Sequence, residues 1–183
     1  MRLAFADLIA PVSTSDFYAD NFGERPLHVR GKAKKIADVM SWKDLTSLVN
    51  QAGIWSPSSF RLLLDQQPVA AAEYCFPGVT RDGRQGMLVD LEKIEEWARR
   101  GASIVLNDIE TLTPGLAAVA EALETGPGGK VQGNLYCSRD EHQAFPSHFD
   151  THDVYALHIA GEKRWNIYQR HFEAPINHPA FKS

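Results

Sequence analysis

Cysteine is scarce in this chain. Its 183 residues hold two, Cys75 and Cys137, and neither belongs to a Cys-x-x-Cys pair. Two buried thiols in a reducing compartment are the expected state. Basic charge is also in deficit: 19 Lys and Arg stand against 23 Asp and Glu, a formal net charge of -4. That argues against a surface built to neutralise phosphates, so no direct nucleic-acid binding is expected. No apolar run approaches the ~20 residues that a membrane helix needs. The opening MRLAFADLIAPVS, with one Arg and with Asp7 interrupting its short apolar patch, makes a poor signal peptide. The expected setting is cytoplasmic, away from membranes. Internal repeats and low-complexity tracts are lacking as well.

What is present is the balance of an ordinary globular protein, with 44% hydrophobic and 23% charged residues. A core can form without disulfide or metal staples, and the length suits one domain or slightly more. Residues 1–125 read as helix-rich with a few strands. Ser13 and Thr14 offer capping oxygens before SDFYADNF, and Gly23 can close that helix in a left-handed conformation. Pro26 blocks further helix, and Leu27 and Val29 suit a short strand. Ser41 opens a second helix with Trp42, Leu45, Leu48 and Val49 on one face and Gly53 at its end. Phe60, Leu62 and Leu64 alternate with Arg61 and Asp65, which predicts a strand near 59–65. Asp90 caps a third helix with Leu91, Ile94 and Trp97 inward. Arg99 and Arg100 sit at its C-terminal end, where cations suit the helix dipole, and Gly101 ends it. ASIVLN reads as a strand, and Thr113-Pro114 as the cap and first residue of a last helix.

From Gly126 the pattern changes to strand periodicity and turns, with strands expected near 130–138, 145–150, 153–160 and 163–169. The order is α+β: a helix-rich part, 1–125, then a strand-rich part, 126–183. Trp42, Trp97 and Trp165 are expected in the core. His28, His142, His152, His171 and His178 are expected at the surface or as satisfied core residues.

The densest chemistry lies in FPSHFDTHDVYALHIAGEKRWNIY, Phe145 to Tyr168. Strand residues at i and i+2 share a face, so His148 and Asp150 would project together as a two-point chelate. They supply two of the three ligands of a 2-His-1-carboxylate Fe(II) site. The simpler reading is a hydrogen-bonded His–Asp pair in a surface loop. Lys163, just after the Gly161 turn, reads either as a solvated turn lysine or as a cation meeting a carboxylate held near the metal.

The stretch Asn134 to Tyr168 resembles the JmjC-type cupin oxygenases, which are Fe(II)- and 2-oxoglutarate-dependent protein hydroxylases, in their bacterial and ribosomal-oxygenase branch. The matching residues are Asn134, Tyr136, His148, Asp150, Asp153, Val154, Tyr155, Gly161, Lys163, Trp165 and Tyr168. FYADNFGERPLHVRG and ASIVLNDIETLTPGL resemble earlier segments of that branch. The resemblance implies that 126–183 is the first half of a double-stranded β-helix, the cupin or JmjC jelly roll. It implies His148 and Asp150 as metal ligands and Lys163 as the partner of the distal carboxylate of 2-oxoglutarate. Asn134 and Tyr136 would line the co-substrate or substrate side, and no further catalytic side chain is assigned. His158 departs from the branch, which often has Gln there.

The family's third ligand, a His on a later strand, has no counterpart among His152, His158, His171 and His178. Four expected strands also fall short of the roughly eight in a full barrel. The resemblance therefore implies an N-terminal portion with its barrel incomplete at the C-terminus, from a longer protein or a truncated gene product, and inactive by itself. The implied function is a 2-oxoglutarate-dependent dioxygenase that hydroxylates a protein side chain, with a ribosomal protein as a candidate substrate; a homodimer is compatible with it. Two rivals stand beside it. One is a non-enzymatic cupin-like binding or scaffold module. The other is a different metal-dependent cupin enzyme, such as a Zn or Mn hydrolase or isomerase, which has no need of a 2-oxoacid clamp at Lys163.

Overall fold

The computed structural model describes residues 3–31, 35–139, 142–169, 176, 178, 179 and 181. Its elements run α1 (Phe5–Ile9), α2 (Thr14–Asp20), α3 (Trp42–Val49), β1 (Phe60–Leu64), β2 (Gln67–Pro68), β3 (Cys75–Val79), β4 (Gln85–Val89), α4 (Leu91–Arg99), β5 (Ser103–Leu106), α5 (Pro114–Thr125) and β6 (Leu135–Cys137). Helix and antiparallel sheet are thus mixed. No helix among the described residues is long and apolar enough to cross a membrane.

The helix starts follow from side-chain oxygens that answer otherwise unpaired backbone N–H groups. Ser13 accepts from Asp16, Asp90 from Glu92 and Lys93, and Thr113 from Leu116, with Pro114 at the first turn. Ser41 and Asp44 cap each other's backbone reciprocally. Each such cap contributes about 1 kcal/mol. Gly101, at φ 96, takes the left-handed conformation that turns the chain from α4 into β5.

The main sheet has the order β2-β1-β5-β6, and β3-β4 form a separate hairpin. Phe60 faces Leu106, which faces Leu135; Leu62 faces Ile104, which faces Cys137. Partners in an antiparallel ladder share a face. This face packs into the principal core with Leu48, Trp55, Tyr74, Val89, Ile94 and Ile109. The opposite face carries the row Arg61–Val105–Tyr136, and beside it the hydroxyls of Ser103 and Ser138 meet at 2.8 Å. A second core joins Phe5, Ile9 and Phe17 to Val119 and Leu123 of α5, and Tyr155 and Leu157 pack against it.

Several expectations change. The Leu27–Val29 segment forms no strand, α3 stops at Val49 ahead of a 3-10 turn at Ala52–Ile54, and the β3-β4 hairpin was not anticipated. Of the expected strand near 130–138, only Leu135–Cys137 pairs; among the described residues, 145–150, 153–160 and 163–169 form no ladder. Strand periodicity makes a strand only where a neighbour answers its N–H and C=O groups, and no described segment does so here. The sidedness survives in part: Tyr155 and Leu157 are half-buried while Val154, Ala156 and His158 are exposed, but Ile159, which alternation groups with Tyr155 and Leu157, is exposed as well. Trp42 and Trp165 are not core residues, at 64% and 57% exposure. Trp42 is the first residue of its helix, beyond the reach of the packed layer, and Trp165 stacks under Lys163 instead.

Burial pushes the Tyr155 phenol up to about 12, with the charge of Asp153 and the neighbouring Tyr18 adding to it. A raised pKa means that the folded state holds the proton more tightly. The stabilisation is complete below the ordinary value of 10.0 and is lost as pH rises through about 12. Tyr155→Phe should therefore flatten the fall in stability across that window, as read from denaturant midpoints at its two ends. An identical alkaline loss in both proteins would show that Tyr155 does not carry it.

Candidate functional site

β6 anchors one side of the site, because its pairing with β5 sets Tyr136 on the sheet face opposite the core. The Tyr136 ring meets Phe145 edge-on at 5.7 Å, and Phe145 in turn lies 5.9 Å from the His148 ring. This short aromatic path ties the strand to the loop that carries the His-x-Asp pair. Sequence reasoning passed over Phe145, whose only signal was an aromatic just ahead of the pair.

His148 is exposed, and its Nδ1 lies 2.8 Å from the Pro146 carbonyl oxygen. A carbonyl can only accept, so Nδ1 carries the proton and Nε2 keeps its lone pair. Such a hydrogen bond on the far nitrogen is the usual way to orient a metal-binding imidazole. Asp150 is exposed too. Burial pushes the Tyr136 phenol up, and the Asp150 carboxylate pushes it further; the Asn134 side chain and Arg61 pull the other way. Tyr136 thus stays a neutral hydroxyl, able to donate a hydrogen bond. Lys163 is exposed, with Nζ 4.2 Å from the Trp165 ring centre and 5.9 Å from that of Tyr136. Cation–π attraction of this kind is worth about 0.5–1 kcal/mol at exposed sites.

Asn134, Tyr136, His148, Asp150 and Lys163 therefore gather at one patch. His158 and His152 are engaged with backbone carbonyls of their own loop. His158 Nε2 lies 2.8 Å from the Gly161 carbonyl, closing a turn in which Gly161 has φ 79, and His152 Nδ1 lies 3.2 Å from the Asp153 carbonyl. His171 is outside the described residues. Among the described residues, no group of three or more His, Cys, Asp or Glu could hold a metal. Cys137 lies on the core face, so no thiolate enters the patch. One imidazole nitrogen and one carboxylate fit Fe(II) as two of its three protein ligands. The cation and hydroxyl beside them fit a dicarboxylate.

Residues 107–181 match the JmjC domain family. Ribosomal oxygenase 2 of Rattus norvegicus is 25% identical over 172 residues, covering 90% of this chain and 34% of the relative. The bifunctional lysine-specific demethylase and histidyl-hydroxylase of Dictyostelium discoideum is 25% identical over 166 residues, 90% of this chain and 30% of the relative. An uncharacterised protein of Bacillus subtilis is 22% identical over 87% of this chain and 46% of its own length. The chain spans about a third of the length of the first two. Residues 107–181 thus carry a JmjC-type segment, and the chain is related to the oxygenases of the ribosomal-oxygenase-like branch.

Proposed function

We propose that this chain contributes the metal and co-substrate site of an Fe(II)- and 2-oxoglutarate-dependent oxygenase that hydroxylates a protein side chain. The observation that carries the reading is the His148 imidazole, oriented by the Pro146 carbonyl, with Asp150, Tyr136 and Lys163 around the same patch. His148 Nε2 and Asp150 would hold the iron, which supplies the oxidising chemistry that puts oxygen into a substrate C–H bond. Lys163 would balance the distal carboxylate of 2-oxoglutarate. The Tyr136 hydroxyl would donate to it, and Asn134 would hold that hydroxyl in place. The names of the relatives, ribosomal oxygenase and histidyl-hydroxylase, motivate a ribosomal protein as substrate. A cytoplasmic setting goes with the free thiols of Cys75 and Cys137.

Lys163→Ala should weaken 2-oxoglutarate binding to the full-length protein and leave its iron content intact. Removing one partner of a buried charge pair costs about 2–5 kcal/mol, and exposed pairs contribute about 0–1 kcal/mol. Lys163 is exposed before the ligand covers it, so a loss of about tenfold is expected between those limits. Anaerobic titration of the Fe(II)-loaded protein measures it, and succinate formation in air tests turnover. Equal 2-oxoglutarate affinity in wild type and variant would favour a scaffold module or a hydrolase.

A further inference from the structure

The two faces of the main sheet differ in kind. One is apolar throughout; the other mixes Arg61, Tyr136, Ser103 and Ser138 with the buried Leu63 and Val105. Arg61 on β1 faces Val105 on β5, which faces Tyr136 on β6. Strands stand about 4.8 Å apart, so the Arg61 and Tyr136 backbones are roughly 10 Å apart, a gap that a guanidinium and a phenol can close together. Val105 between them is 2% exposed and forms an apolar floor.

Arg61 is half-buried, and among the described residues no carboxylate pairs with it. A half-buried guanidinium with no carboxylate bonded to it keeps its fork open to an anion. The anion that the neighbouring patch is built for is a carboxylate, and a planar guanidinium binds a carboxylate through two parallel N–H bonds where an ammonium acts as a point charge.

From this placement we infer that Arg61 is a second cationic contact for the co-substrate, sharing the distal carboxylate of 2-oxoglutarate with Lys163 and the Tyr136 hydroxyl. The inference rests on the oxygenase reading and adds to it a residue from a strand more than seventy positions before the His-x-Asp pair. The clamp then has two jaws, one on β1 and one on the loop after β6.

The test is a pair of anaerobic calorimetric titrations on the Fe(II)-loaded full-length protein, one with 2-oxoglutarate and one with 2-oxobutyrate, which lacks the distal carboxylate. Arg61→Gln should weaken 2-oxoglutarate about tenfold and leave both 2-oxobutyrate affinity and iron content at the wild-type level. Arg61→Lys, which keeps the charge but not the fork, should fall between. The preference for 2-oxoglutarate over 2-oxobutyrate is read in whichever variant keeps the wild-type melting temperature, so a misfolded Arg61→Gln leaves Arg61→Lys to decide. A preference unchanged in the folded variants, or a loss shared equally by both ligands, overturns the role of Arg61 while leaving the oxygenase reading intact. A wild-type protein that binds iron but no 2-oxoglutarate overturns both.

Discussion

His148→Ala and Asp150→Ala should each leave the full-length protein without bound iron after anaerobic loading and desalting. Each change removes one arm of a two-point chelate, and the remaining donors must then hold Fe(II) against water and buffer. Even loss of a group that only orients a ligand costs about 10–100-fold in metal affinity, so loss of a ligand itself should cost more. His148→Ala also deletes the hydrogen bond to the Pro146 carbonyl and the contact with Phe145. Asp150→Asn is therefore the cleaner variant, since it keeps the shape and removes the charge. Both residues are exposed and lie outside the two cores, so melting temperatures should stay within the range of ordinary surface changes, about 0.5 kcal/mol. Wild-type iron content in both alanine variants would sink the metal assignment.

Phe60→Ala should be the most damaging single change to the fold. The ring is 0% exposed, stands edge-on to Trp55 at 5.8 Å and faces Leu106, also 0% exposed. Its backbone carbonyl accepts the Tyr74 hydroxyl at 3.2 Å. A buried Phe→Ala change costs about 3–5 kcal/mol through lost transfer energy and the cavity left behind. Typical domains hold only about 5–15 kcal/mol in all. The midpoint in denaturant should drop accordingly, at unchanged slope. Trp42→Ala makes the contrast: the larger ring is 64% exposed, and its loss should stay within about 0.5 kcal/mol. A Phe60→Ala cost below that of Trp42→Ala would mean that the sheet core is not where the register puts it.

The starts of α2 to α5 were legible because capping is local chemistry. Ser13, Ser41, Asp90 and Thr113 each bond to a backbone N–H two or three residues on, and no distant partner is needed. The His-x-Asp pair stands out in the sequence for the same reason, as a candidate donor set two residues apart. Strands are another matter, because a strand exists only where a second segment pairs with it. Residues 145–169 have the periodicity and show its sidedness at Tyr155 and Leu157, yet no described segment pairs with them. The β3-β4 hairpin escaped notice because CFPGV and QGMLV carry glycines and a proline where a strand pattern calls for branched residues.

By itself, then, the sequence determined the caps and the alternation of faces and put forward His148 and Asp150 as candidate metal donors, all from neighbours a few bonds away. Only the tertiary structure decided which tryptophan is buried, which nitrogen of His148 is left free, and that Arg61 lies in one row with Tyr136. Those three depend on the Pro146 carbonyl, the packed layer and the β1–β5–β6 register. Register brings together residues far apart in the chain, and side-chain spacing along a single segment carries no information about it.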